Sequence, residues 1–240
     1  MGLLDLPAPL FDLMDRSLLG LLPPLARLVL WAILGAILSL LIYRWLSPQR
    51  RIAEVKAAAQ NARHRLNAHD GDLESALPLM RQSMALALRQ LGLVLPAALI
   101  ASLPVIALLV WLDGAYGHQL PDGRQTPPVV TVEPPSYSAQ WQPSGTGGQI
   151  ELREQGGAQV ARLTLAAPVT RIEKRHWWNL ILGNPAGYLP EQSPIDSVTI
   201  ALPEHQYLPV GPEWLRSWFT VALTALFITS IFIMRIARIA

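Results

Sequence analysis

The chain reads as a membrane protein, mainly α, with three transmembrane helices, a cytoplasmic helical hairpin between the first two, and a periplasmic all-β, sandwich-like insertion between the second and third. Three observations predict this class. Hydrophobic residues make up 51% of the 240 residues and charged residues 15%, with a positive mean hydropathy, a balance that does not suit an ordinary soluble domain. The apolar residues gather in three long runs, at 28–43, 91–112 and 218–234. The charge is unevenly signed: residues 44–90 carry eight Arg or Lys against four acids, and residues 113–213 six against ten. Such asymmetry reads as membrane topology and not as nucleic-acid binding.

Residues 1–22 carry Leu, Phe and Met among a few acids, Asp5, Asp12 and Asp15, and predict a short helix lying in the outer membrane interface. A cleaved signal peptide is not expected. Such peptides start with basic residues and end in a small-residue site, whereas acids come first here and Arg44, Arg50 and Arg51 follow the apolar run.

The first span is placed at 24–46. A helix of about 20 residues, rising about 1.5 Å each, crosses a hydrocarbon core of about 30 Å.

Residues 47–90 form the predicted hairpin. Its first arm, 48–66, is rich in Ala, Gln, Arg and Glu without Gly, with Ser47 as N-cap and Pro48 as first helical residue. Residues 67–72 break it. The second arm starts near Ser75 and brings Leu77, Met80, Met84 and Leu88 to one face. Met80 and Met84, flexible and polarizable, suit capture of varied apolar segments; packing against the first arm is the plainer alternative.

The second span is placed at 91–112 and carries Pro96 and Pro104, which a membrane helix tolerates. Residues 113–212 hold thirteen of the 21 prolines and short runs at 129–133, 149–154, 159–165, 177–182 and 197–202, which read as strands. The glycine-rich 145–148 reads as a hairpin turn. The third span is placed at 214–235, with Trp214 and Trp218 as interfacial aromatics. By the positive-inside rule the N-terminus and residues 113–212 face outward and the C-terminus inward, as in a bacterial inner membrane.

Catalytic patterns are missing from the text. There is no cysteine, which excludes disulfides, thiolate metal sites and Cys nucleophiles. His64, His69, His118, His176 and His205 are scattered without metal-ligand spacing, and no phosphate-binding or nucleophile-elbow motif occurs. No enzyme activity and no cofactor are expected. Residues 171–178 join basic and aromatic side chains, which reads as a solvated edge with its Trp rings packed on the domain core or the membrane face. Within the spans, Ser39, Ser102, Thr220 and Thr224 are polar groups that lipid disfavours. They serve either as helix-packing contacts or, together with Arg44, as the lining of a shallow hydrophilic groove.

The order span, charged hairpin, span, outer segment, span resembles the Oxa/YidC superfamily of membrane protein insertases, in particular its three-span branch with the third subunit of the endoplasmic reticulum membrane protein complex and small archaeal proteins. The matching text is Ala-Arg-Leu-Val-Leu-Trp at 26–31, Ile-Tyr-Arg-Trp-Leu-Ser at 42–47, Gln-Arg-Arg-Ile-Ala-Glu-Val at 49–55, Met-Arg-Gln-Ser-Met at 80–84 and Trp-Leu-Arg-Ser-Trp-Phe at 214–219. The resemblance implies a groove open to cytoplasm and lipid that admits a client helix, with the hairpin as capture arm, and Arg44 looks like the basic residue placed near such a groove. The outer β segment departs from the short-loop relatives. The implied partners are membrane lipids and client membrane proteins; a non-catalytic assembly subunit, its β domain bound to a periplasmic partner, is the alternative.

Overall fold

The structure, a computed structural model, describes residues 2–17, 20–69, 71–121, 126–144, 147–154, 156–165 and 167–237. Parts of four expectations therefore lie outside the described residues: residues 1, 18 and 19 in the N-terminal segment, Asp70 in the hairpin turn, Gly145 and Thr146 in the glycine turn, and the basic tail at Arg238. By length and composition three helices are able to cross a membrane, and the chain is that of a membrane-embedded protein.

The helices are α1 (Ala8–Ser17), α2 (Pro24–Leu46), α3 (Gln49–Asn67), α4 (Leu73–Leu112), the single turn α5 (Glu213–Arg216) and α6 (Trp218–Ala237). The strands are β1 (Val130–Glu133), β2 (Tyr137–Ser144), β3 (Gly147–Glu154), β4 (Gln159–Leu165), β5 (Arg171–Glu173) and β6 (Ser197–Ile200). Two compact units contain them. One is Met1–Ala32 with Ile106–Ala225, and the other is Ile33–Val105 with Leu226–Ala240.

In the first unit, β1, β6 and β5 form one antiparallel sheet and β2, β3 and β4 a second. Alternate side chains point to one face of a strand, so Trp141, Ile150, Leu152 and Leu165 from one sheet meet Val132, Ile172, Val198 and Ile200 from the other in a single core. Gly148 is required there, because a Cβ would enter the ring of Trp141.

Several elements depart from expectation. Residues 177–182 hold no strand: Trp177–Leu180 is a 3-10 turn whose Asn179 accepts from the His176 amide at 2.6 Å and donates to the Leu182 carbonyl at 3.3 Å. The run is apolar without alternating, so no pleat has a core face to bury. Strand β2, not anticipated, carries Pro143, which is tolerated because β2 lies at a sheet edge. The third span starts at Trp218, since Ser217 is extended and separates α6 from α5.

In the second unit, α3 starts at Gln49 with Pro48 as its N-cap, one residue later than expected, and Ser47 is buried against the Gln49 side chain. Ile52, Val55, Ala59 and Ala62 form its buried stripe. The second hairpin arm and the second span are one continuous 40-residue helix, α4, that keeps Pro78, Pro96 and Pro104 inside it. Only Arg89 and Gln90, both good helix formers, separate Leu88 from Leu91, and neither a proline nor a capping residue stops the helix between arm and span.

Candidate functional site

The most heavily bonded constellation among the described residues lies where the N-terminal helix meets the ends of two spans, within the first unit. Pro7 opens α1 by accepting backbone bonds from Leu10 and Phe11, and Phe11, Asp12 and Asp15 then fall on one side of the helix. Pro24 opens α2 with its φ already set for a helix, which places Arg27 and Trp31 one turn apart on one face. Trp111 closes α4. The π-helical turn Asp113–Gly117 follows it. In an α-helix, residues five apart stand about 140° apart around the axis. The wider turn reduces that angle and brings Tyr116 against Trp111, ring centroids 5.9 Å apart.

Asp15, 9% exposed, is the centre. Its Oδ1 accepts from Trp31 Nε1 at 2.9 Å and from the Tyr116 hydroxyl, and its Oδ2 accepts from an Arg27 guanidinium nitrogen at 2.9 Å. Asp12 Oδ1 accepts from Trp111 Nε1 at 2.9 Å. The rings of Phe11, Trp31 and Trp111 form a triangle with centroids 5.0 to 5.4 Å apart, two of its three pairs edge-to-face. The Arg27 guanidinium lies 5.8 Å from the Tyr116 ring centroid, and its Nε is buried without a partner.

The cluster continues into the segment leading to α6. Tyr207 donates its hydroxyl to the Tyr116 carbonyl and its amide to the Arg216 carbonyl, each at 2.8 Å, and Arg216 Nε donates to the Leu208 carbonyl at 2.8 Å. Burial pushes the Tyr207 phenol well above its ordinary range, so it stays a neutral donor. His205 stacks on Tyr207 at 4.3 Å and contacts Gln119 through Nδ1; burial holds its imidazole below the usual value. Between them these contacts join α1, α2, the end of α4 and the approach to α6.

Chemically the arrangement is an anchor. A carboxylate offers about four acceptor positions. Asp15 fills three of them, two with donors from α2 and one with a donor from the π-helical turn, which leaves it poorly placed to abstract a proton from a visiting molecule. Among the described residues no group of three or more His, Cys, Asp or Glu is arranged to hold a metal. A buried ion pair contributes less to stability than its Coulomb attraction implies, because both charges lose water, but it strongly selects the one arrangement that satisfies them.

The residues singled out from the sequence are placed as follows. In the second unit, Arg44 is exposed in the last turn of α2 without a partner among the described residues. Ser39 donates to the Ala101 carbonyl of α4 at 2.8 Å, and Ser102 donates to Leu99 within its own helix at 2.8 Å. In the first unit, Thr220 donates to the Trp214 carbonyl of α5 at 2.6 Å, Ser217 caps α6 by accepting from the Thr220 amide, and Thr224 is exposed. Met80 and Met84 are exposed on α4 together with Leu77 and Leu88, so the stripe is not covered by α3. Sequence reasoning missed the anchor. Its one local signal was the Asp12 and Asp15 spacing; two Trp residues near span ends, each needing an acceptor for its N–H, supplied the other half.

In comparisons with known proteins, no family model matches the chain, no curated protein matches it, and no solved structure matches it.

Proposed function

We propose that the chain is an insertase-like membrane-protein biogenesis factor of a bacterial inner membrane, with the N-terminal segment and β region periplasmic and the α3–α4 arm cytoplasmic. The observation that carries this reading is the unpartnered apolar stripe Leu77, Met80, Met84 and Leu88, which stands on the same continuous helix that then supplies a span. A flexible, polarizable stripe of this kind suits transient contact with incoming apolar segments, and one helix carries it to the lipid. Arg44, exposed and unpaired at the end of α2, supplies positive charge for polar or acidic client tails. No cofactor and no covalent chemistry enter; the work is to lower the cost of passing polar groups through the apolar layer.

A second reading, a non-catalytic subunit of a membrane assembly, is favoured by the hydroxyls of Ser39 and Thr220, which are engaged in helix contacts and not held open toward a groove. One experiment separates the two. Arg44→Leu and the double variant Met80→Ser with Met84→Ser should each lower insertion of short-tailed clients severalfold at unchanged level of the protein itself, with Arg44→Lys near normal. Normal insertion in every variant, with a partner subunit lost instead, supports the assembly reading.

A further inference from the structure

We infer that the β region rests on the membrane surface through a composite apolar foot, built from the N-terminal helix and the 177–182 turn, whose occupant is the phospholipid interface. The inference needs only that the three apolar helices lie in a membrane, and it stands whether or not the insertion reading does.

Helix α1 is turned inside out relative to a soluble amphipathic helix. Its acids point inward to Trp31, Arg27 and Trp111, while Leu10 and Leu13 are 57% and 65% exposed, with Leu3 and Leu6 before it at 65% and 66%. In the β region the 177–182 turn does the same: Trp177 is 73% and Leu180 63% exposed, and the buried member is the polar Asn179. The two parts are fastened to each other. Leu4 donates its amide to the Ile181 carbonyl at 3.0 Å, and one oxygen of Asp5 accepts from the Gly2 and Gly183 amides, both at 2.8 Å. Gly2 is required at this join, since a Cβ would come within 2.6 Å of the Ile181 carbonyl and the Gly183 nitrogen.

Lipid is chosen as occupant by continuity and by charge. Pro24, where a membrane-length helix begins, follows Ser17 by seven positions, so α1 lies close to the end of a span. Arg16 and Arg175 are exposed without partners among the described residues and flank the apolar side chains, as suits a headgroup layer around a penetrating patch. Trp at the rim suits the same layer.

The chain lacks cysteine, so single cysteines at Leu10 and Leu180 can carry a fluorophore in the full-length protein, reconstituted at one copy per phospholipid nanodisc. Both labels should lose emission to a nitroxide borne on the lipid chains, as a label at Leu103 in α4 does, and stay insensitive to iodide, while a label at exposed Gln140 of β2 responds only to iodide. Iodide quenching at Leu180 overturns the inference. So does protection from both quenchers, or lipid contact replaced by label–label contact once several copies share a disc. Asp5→Ala should shift the Leu180 label toward iodide and leave Gln140 unchanged, with the melting of the β region retained; no shift at Leu180 overturns the coupling of the two parts.

Discussion

Asp15→Asn keeps the acceptor for Trp31 and Tyr116 but removes the charge that Arg27 answers. Breaking a buried ion pair by removing one partner leaves the other uncompensated and costs on the order of 3 kcal/mol. Asp15→Asn and Arg27→Gln should therefore each loosen α1, and the double variant should be less affected than the sum of the two, because both act on one bond. Trypsin cleavage after the exposed Arg16 in reconstituted protein reads this opening; additive effects would show that the pair does not hold the helix. None of this was legible from spacing. The donors to Asp15 lie 12, 16 and 101 residues away, and acids on a short amphipathic helix read naturally as solvated. The position of Arg44 was legible, because it ends the apolar run and falls in the last turn of α2.

On the scale of elements, β3 and β4 carry an acid sensitivity. Glu151 is buried between Arg153 at 3.1 Å and Arg162 at 2.7 Å, and their hydrogen bonds hold its carboxyl below the usual carboxylate range. The folded state therefore takes up this proton less readily than the unfolded state. The associated stability is present above the unfolded pKa of about 4.3 and is lost as pH falls through the lower folded value. His205, held down by burial, adds an earlier loss as pH falls from about 6.5. The melting temperature of the β region should thus drop in two stages on acidification, and Glu151→Gln should flatten the lower one; near-ultraviolet circular dichroism checks this, and an unchanged lower stage refutes it. Element boundaries were legible where a hard stop exists. The first span, expected at 24–46, is Pro24–Leu46, because Pro24 opens it and Pro48 lies just beyond its end. Where no stop exists, as between Leu88 and Leu91, arm and span merged. β2 was hidden because Tyr-Ser-Ala-Gln-Trp-Gln-Pro-Ser alternates with small and polar residues around a single large core side chain, Trp141.

For the whole molecule, the contact of Asp15 with Tyr116 joins the N-terminal segment to the turn after α4, and that of Leu4 with Ile181 joins it to the β region. The proposed topology, with a periplasmic N-terminal segment and β region and a cytoplasmic α3, has a direct check. Cysteines placed singly at Ala57 and Ser144 should accordingly be labelled from opposite faces of oriented vesicles; labelling of both from one face would remove a crossing. The three membrane-length helices were readable because lipid imposes a length on apolar runs, whereas the joins between spans and β region are long-range and leave no periodic trace. The continuity of α4 has a consequence for any change in its length. At about 1.5 Å per residue its 40 residues extend about 60 Å, about twice the hydrocarbon thickness. Height and azimuth are therefore locked together along it: one inserted residue between Leu88 and Leu91 would raise Met80 and Met84 by about 1.5 Å and swing them about 100° around the axis. Only steps close to whole numbers of turns preserve the direction in which that stripe faces, so this helix tolerates lengthening in a few discrete increments and resists the rest.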